Sequence, residues 1–350
     1  MLHLTSHIVR TSALRDRTEI NAAMVEAMQD LFHPSALAIY RCFASDRKTI
    51  VFNCAGLGPN GTYCRNAYLP QRRHCRPLAQ DGMMRRCQKE MSVVLDTLPD
   101  GTNRLLFPVA QHEQLLYLID ITVPDDFPAD QRVLLMGLVE FFSNHIALLD
   151  YAETDTLTSL ANRKTFDKHL FDLLGQAAVD DNNGAAGPPS PDRRQGTTDH
   201  THHWLAVCDI DHFKAINDDH GHLIGDEVLV VPAQVMRDSF RFDDQLFRFG
   251  GEEFVIVLQP ASRNDAFDTL ERFRKTIEGR SFSQVGRLTV SIGFSQLLPH
   301  DTPSDVIDRA DEALYYIKRH GRNRVASYEA LVESGRMQPK PILKGDVELF

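Results

Sequence analysis

Acidic residues stand next to apolar runs at two places in the second half of the chain. One β-like run, Leu205 to Asp211, ends in acids, and two further runs, Leu246 to Phe249 and Glu253 to Leu258, flank a glycine pair. The acids and glycines are Asp209, Asp211, Gly250, Gly251, Glu252 and Glu253. Strands around a glycine turn predict a hairpin with two acids at its tip.

These residue types suit a metal ion and a phosphate. Carboxylate oxygens are the ligands that Mg²⁺ prefers, and the ion completes its shell with water and substrate phosphates. A glycine turn also lets a phosphate approach the backbone, which a side chain would block. Taken alone, a carboxylate at a strand end is more often solvated than metal-bound, so the metal site requires the two acidic strands to be neighbours.

The hairpin segment Arg248-Phe-Gly-Gly-Glu-Glu-Phe254 resembles the signature of GGDEF domains, the diguanylate cyclases. Further segments resemble that family's motifs, in the family's order, over residues 154 to 328. They are Asp155-Thr-Leu-Thr-Ser-Leu-Ala-Asn-Arg163; Asp209-Ile-Asp-His-Phe-Lys-Ala-Ile-Asn-Asp218 with Gly221-His222 and Gly225-Asp226; and Asp311-Glu-Ala-Leu-Tyr315 with Lys318 and Gly321-Arg-Asn323. Four motifs in order make the resemblance highly specific.

The resemblance implies a ferredoxin-like βαββαβ fold and the condensation of two GTP into cyclic di-GMP and two pyrophosphates. It implies Mg²⁺, with Mn²⁺ as an alternative, held by Asp209, the carbonyl of Ile210, Glu252 and Glu253. The catalytic residues it implies are Glu252 as the base for the ribose 3′-hydroxyl, Lys214 for phosphate charge, and Glu253. The substrate-binding residues it implies are Phe213, Asn217, His222, Asp226, Gly250, Gly251, Lys318 and Arg322. Of these, Asn217 and Asp226 would bind the guanine edge, and Lys318 and Arg322 the terminal phosphates.

The segment Arg241-Phe-Asp-Asp244 has the R-x-x-D spacing of the family's inhibitory product site. Arginine can bind phosphate in a bidentate manner, and aspartate can accept hydrogen bonds from a guanine edge. The resemblance therefore implies feedback inhibition by cyclic di-GMP at Arg241 and Asp244. An ordinary surface ion pair is the alternative interpretation.

The first half of the chain has its own pattern of helices and strands. A helix is predicted over Thr11 to Phe32, followed by strand pairs at 36–43 with 49–53 and at 104–110 with 114–123. This order resembles a GAF-type sensor domain, with a PAS domain as the competing assignment, and either would bind an unidentified ligand. We therefore predict an α+β protein with a GAF-like domain at 1–150 ending in a signalling helix. A cyclase domain follows at 151–330, with a loop insertion at 180–201, and then a tail at 331–350.

A long helix is predicted from Ala129, with side chains at alternating steps of four and three. The seam comprises Leu134, Leu138, Phe141, His145, Leu148 and Ala152. Such a seam favours a dimeric coiled coil, but fewer than four heptads are present, so a helix packed on its own domain is an equally good interpretation. Because the product is two-fold symmetric, a homodimer with one GTP per subunit would orient the two substrates.

Composition restricts the class of protein. The 350 residues are 43% hydrophobic and 25% charged with a net charge of −10, which disfavours a sequence-independent nucleic-acid binder. The chain has no run of about 18 uncharged apolar residues, and its first ten residues lack an apolar signal core, so we predict a cytoplasmic protein without a membrane span. Six cysteines without a C-x-x-C pair predict free thiols.

Two functions compete. The first is an active diguanylate cyclase controlled by the N-terminal domain. The second is a catalytically silent module that binds GTP or cyclic di-GMP and signals through a partner protein. Such modules usually lose the hairpin acids or the equivalent of Lys214, and this chain retains both.

Overall fold

A computed structural model of the chain describes residues 2–45, 48–111, 114–184, 202–282 and 284–339. These residues divide into two compact units. The first comprises the described residues up to Ser159 together with Arg241–Asp243, and the second comprises the remainder. Each unit combines a sheet with helices, which confirms the prediction of a mixed helix and strand protein at this coarse level.

The first unit is built on a seven-stranded antiparallel sheet in the order β3-β2-β1-β7-β6-β5, with β4 paired to β2. Its strands are β1 (Ala36–Ser45), β2 (Lys48–Gly58), β3 (Gly61–Cys64), β4 (Cys75–Pro77), β5 (Val94–Thr97), β6 (Asn103–Gln111) and β7 (Gln114–Val123). Its helices are α1 (Leu2–Ala13), α2 (Arg17–Phe32), α3 (Gly82–Glu90) and α4 (Ala129–Glu153). Helices α2 and α4 pack in one apolar core and α3 in another. Both predicted strand pairs are present.

The prediction of one helix over Thr11 to Phe32 is wrong, because the chain breaks between α1 and α2. Asp16 has an extended backbone, and its carboxylate accepts hydrogen bonds from the amides of Thr18 and Glu19. This is an N-cap, which satisfies amides that have no partner within the new helix. The cap therefore starts α2 and ends the continuity that the apolar spacing indicated.

Helix α4 packs on its own unit, and the predicted heptad seam is not one continuous face. Leu138 and His145 are buried, whereas Leu148 is 70% exposed and Ala152 is exposed. The buried residues are Leu135, Leu138, Val139, Phe142, His145, Ile146 and Leu149. Among the described residues, α4 is also the one helix long and apolar enough to cross a membrane. This is weak evidence, because the core helix of a soluble protein passes the same test.

The second unit has a six-stranded sheet in the order β15-β14-β9-β11-β10-β8. Its strands, and the separate hairpin of β12 and β13, are β8 (Ala161–Asn162), β9 (His202–Ile210), β10 (Gln245–Gly250), β11 (Glu253–Ala261), β12 (Ser281–Phe282), β13 (Gly286–Arg287), β14 (Val290–Gln296) and β15 (Val325–Ser327). Its helices are α5 (Arg163–Gly184), α6 (Phe213–His220), α7 (His222–Ser239), α8 (Arg263–Glu278), α9 (Pro303–Arg319) and α10 (Tyr328–Glu333). The four inner strands are antiparallel to one another, whereas the edge strands β15 and β8 run parallel to β14 and β10.

Helix α9 lies directly against the sheet because β14 contains a glycine. A Cβ atom on Gly293 would lie 2.2 Å from the carbonyl oxygen of Ala310, so only glycine allows this approach. The helix begins with a capping box between Thr302 and Asp305 and with Pro303 in its first turn. This placement brings the last turn of α9 to the end of β9.

Part of the predicted insertion is helical. Helix α5 continues to Gly184, so residues 180–184 are not a loop. The rest of the predicted insertion lies outside the described residues. Helix α10 extends into the predicted tail and packs through Leu331 and Tyr328 against Ala313 of α9. Residues beyond 339 lie outside the described ranges.

Candidate active site

The two acidic strands are neighbours, which meets the condition for a shared metal site. Strand β9 pairs antiparallel with β11, and Asp209 lies directly opposite Glu253. Glu252 lies in the turn that joins β10 to β11, next to Glu253. Residues opposite each other on adjacent strands have side chains on one face of the sheet. The fold therefore gathers Asp209, Glu252 and Glu253 at one edge.

The hairpin turn depends on one glycine and one arginine. Gly251 has a φ of +50°, the left-handed conformation that favours glycine, and the register shifts between Arg248 and Gly250. The guanidinium of Arg248 donates two hydrogen bonds to the carbonyl oxygen of Gly251, at 3.2 and 3.0 Å. Arg248 opens the hairpin motif, but the sequence alone predicts no role for it. A Cβ on Gly250 or Gly251 would contact nothing within 4 Å, so the turn is open to a ligand.

A lysine from α9 neutralises part of this acidic cluster. The Nζ atom of Lys318 lies 2.7 Å from Oδ2 of Asp209, whose side chain is only 6% exposed. Burial raises the pKa of Asp209, and the Lys318 ammonium opposes the rise. Burial, followed by the charge of Asp209, also raises the pKa of Glu252. A further cation would favour the charged form of these carboxylates, which burial disfavours.

Asp311 is a further acid of this cluster that sequence reasoning did not assign. Burial and then the charge of Glu253 raise the pKa of Asp311 to about 6. The available signal was its position at the start of the motif that ends in Tyr315. Because it lies on α9, only the packing of α9 on β14 and β9 brings it to the hairpin.

The donor set suits Mg²⁺, although the described residues contain no ready-made group of three or more metal-ligating His, Cys, Asp or Glu side chains. Mg²⁺ needs only one or two carboxylates when substrate phosphates complete its octahedron. Asp209 and Glu252 offer oxygen ligands of that kind, and the Lys318 ammonium shows that a cation is accommodated beside Asp209.

The predicted guanine-binding residues come together where α6 meets α7. A Cβ on Gly225 would lie 1.9 Å from Oδ1 of Asn217 and 3.4 Å from the ring of Phe213. Gly225 therefore allows α7 to approach Asn217 closely, and it places Asp226 beside this contact. Lys214 and His222 are exposed, so their orientation toward a nucleotide stays a prediction.

The predicted inhibitory site has one residue held by the sheet. Asp244 accepts a hydrogen bond from the backbone amide of Gln259 at 3.0 Å, whereas Arg241 is exposed. This contact fixes Asp244 at the entry to β10. The role of the pair in product binding stays a prediction.

A family model described as the GGDEF domain of diguanylate cyclases matches residues 192–324. The chain contains a GGDEF domain. Every predicted site residue, from Asp209 to Arg322, lies within the match. The match does not include residues 1–159, so the GAF-like assignment of residues 1–150 remains a proposal.

Individual relatives resemble the GGDEF domain. Diguanylate cyclase DosC of Escherichia coli strain K12 is 42% identical over 130 residues, which cover 36% of this chain and 28% of that protein. Diguanylate cyclase A of Treponema denticola is 34% identical over 195 residues, 55% of this chain and 48% of that protein. The chain thus spans less than half the length of either relative. A crystal structure of the GGDEF domain of DgcB from Caulobacter crescentus with c-di-GMP is 37% identical, covering 51% of this chain and 96% of that one, with a TM-score of 0.43.

Proposed function

We propose that this chain is a diguanylate cyclase that condenses two GTP into cyclic di-GMP and two pyrophosphates. The observation that carries the proposal is the pairing of Asp209 with Glu253 across two strands, beside Glu252 and Lys318. The match to the GGDEF family and the named cyclases among its relatives support the same activity. The strand order β14-β9-β11-β10 supports the ferredoxin-like βαββαβ arrangement.

The acids would hold a divalent ion. Asp209, Glu252 and the carbonyl of Ile210, with Glu253 as a further ligand, would bind Mg²⁺ or Mn²⁺, which supplies positive charge to the triphosphate and to the attacking hydroxyl. Because its pKa is raised, Glu252 is suited to accept the proton of the ribose 3′-hydroxyl near neutral pH.

Other side chains would bind and orient the nucleotide. Lys214, Lys318 and Arg322 stabilise the negative charge that spreads over the phosphate oxygens. The open turn at Gly250 and Gly251 leaves room for the phosphates. Asn217 and Asp226 bind the guanine edge, His222 helps to hold the nucleotide and Phe213 packs nearby. Most of the rate enhancement would then come from positioning and charge stabilisation.

The enzyme would work as a homodimer, because each subunit would hold one GTP and present it to the other. It would act in the cytoplasm. The first unit would be a GAF-like sensor, or a PAS-like one, that controls the cyclase through α4. Its antiparallel sheet with helices supports either assignment. Cyclic di-GMP bound at Arg241 and Asp244 would inhibit the enzyme.

The test is synthesis of cyclic di-GMP by purified protein from GTP and Mg²⁺, followed by mass spectrometry. We expect product from the wild type, none from Glu252→Ala, and wild-type amounts from Asp268→Ala, a matched loss of an exposed acid on α8. GTP binding without product at high protein concentration would favour the silent module. Equal product from Glu252→Ala and the wild type would refute the assigned metal site.

A further inference from the structure

Asp211 follows directly after β9 and binds two other segments with its carboxylate. Its Oδ1 accepts a hydrogen bond from the hydroxyl of Ser291 at 2.7 Å. Its Oδ2 accepts from the hydroxyl of Thr289 at 2.7 Å and from the backbone amide of Asn323 at 3.0 Å. The residue is 5% exposed, and a buried charge persists where hydrogen bonds satisfy it. The Asp211 carboxylate therefore binds other segments of the protein rather than a metal ion.

The segment held by Asp211 has an uncommon backbone. Gly321, Arg322 and Asn323 have φ values of +110°, +58° and +46°. A residue other than glycine pays a cost in this left-handed region and stays there only when its surroundings enforce it. The backbone conformation of Asn323 is held by its side chain as well as by its amide. The side chain accepts a hydrogen bond from Arg274 at 2.6 Å and donates one to Glu278 at 3.0 Å.

Arg322 is the middle residue of this left-handed loop, which we define as residues 321–323. Its positive charge lowers the pKa of Asp209, opposing the effect of burial, so its guanidinium lies within electrostatic reach of that carboxylate. The conformation of the loop thus determines where the guanidinium lies relative to the acidic cluster.

We infer that Asp211 is a positioning residue for phosphate binding. Through the backbone amide of Asn323 it holds the left-handed loop, and so it orients Arg322 toward the phosphates. The inference rests on the proposed function, in which Arg322 binds the terminal phosphates of GTP.

A double-mutant cycle tests the inference on the full chain. The dissociation constant is measured for 3′-deoxy-GTP, which cannot be cyclised, on the wild type, Asp211→Asn, Arg322→Ala and the double variant. Loss of a hydrogen bond to a charged group predicts a roughly tenfold weaker binding by Asp211→Asn. Because Asp211 acts through Arg322, the double variant should bind as Arg322→Ala does, within about twofold. The inference would be overturned if the fold-changes of the two single variants multiplied in the double variant. Unchanged binding by Asp211→Asn would also overturn it.

A milder variant tests the inference if Asp211→Asn does not fold. Thr289→Val removes one donor to the carboxylate and conserves shape, so it should weaken binding in the same direction only while Arg322 is present. Thr276→Val, which removes an exposed hydroxyl that bonds within α8, is the matched control and should bind as the wild type does. If Asp211→Asn does not fold, unchanged binding by Thr289→Val overturns the inference.

The proposed function is checked separately by GTP turnover of the wild type. If the wild type binds the analogue but forms no cyclic di-GMP, the proposed cyclase activity is refuted. The double-mutant cycle then still tests the role of Asp211. A wild type that does not bind the analogue overturns both.

Discussion

Replacing Lys318 with methionine should destabilise the GGDEF domain more strongly at alkaline than at acidic pH. The variant keeps the length of the side chain but removes the ammonium 2.7 Å from Asp209. Breaking a buried ion pair costs about 3–5 kcal/mol. Because the Lys318 side chain is 33% exposed, water screens the pair, and we expect a loss of about 2 kcal/mol in the free energy of unfolding.

The pH dependence follows from the direction of the pKa shifts. Burial already raises the pKa of Asp209 in the folded state, and without Lys318 it rises further. Glu252 and Asp311 lose the same neighbouring charge and shift in the same direction. The folded variant then binds protons more tightly than the unfolded chain, so its stability falls as the pH rises from the unfolded pKa through the folded one. The deficit should be complete near pH 8 and smaller near pH 5.

Urea unfolding followed by tryptophan fluorescence measures this effect. Trp204 is the only tryptophan, lies in β9 and is 2% exposed, so it reports on the GGDEF domain. The matched control is Lys275→Met on α8, where Lys275 is 66% exposed and 3.4 Å from Glu271. An exposed pair of this kind contributes about 0.5 kcal/mol. An equal deficit at both pH values, or one no larger than that of Lys275→Met, would refute the reasoning.

Three further predictions concern the site. Gly225→Ala should raise the KM for GTP and destabilise the domain by about 1–3 kcal/mol through overpacking. A Cβ on Gly175 meets open space, so Gly175→Ala should change neither quantity in the same kinetic and urea assays. In the pH–rate profile, kcat/KM should fall as the pH drops through the raised pKa of Glu252. If kcat/KM of Glu252→Gln fell in the same way at low pH, another group would be responsible. Added cyclic di-GMP should inhibit the wild type but not Arg241→Ala, and equal inhibition of both would exclude the product site from this segment.

Local signals were sufficient for the hairpin and for most of the strands. The glycine pair between two apolar runs predicted β10 and β11, because turn chemistry and strand alternation are properties of neighbouring residues. The same local patterns misplaced the boundary between α1 and α2, where the Asp16 cap outweighs the apolar spacing.

The seam of α4 shows a second limit of local patterns. Its apolar side chains allow several stripes, and a strict seven-residue repeat predicted one that includes Leu148. The buried stripe instead ends at Leu149, because a straight helix has 3.6 residues per turn and drifts away from a 3.5-residue repeat. Which stripe is buried depends on the sheet against which the helix packs.

The types of the residues and their order in the chain were enough to indicate the family and its acids. The packing of the folded chain places Asp209 opposite Glu253, pairs Lys318 with Asp209, and lets Asp211 bind Asn323. These partners are distant in the chain. Their contact depends on strand register and on the packing of α9 over Gly293, and no local pattern encodes either of these.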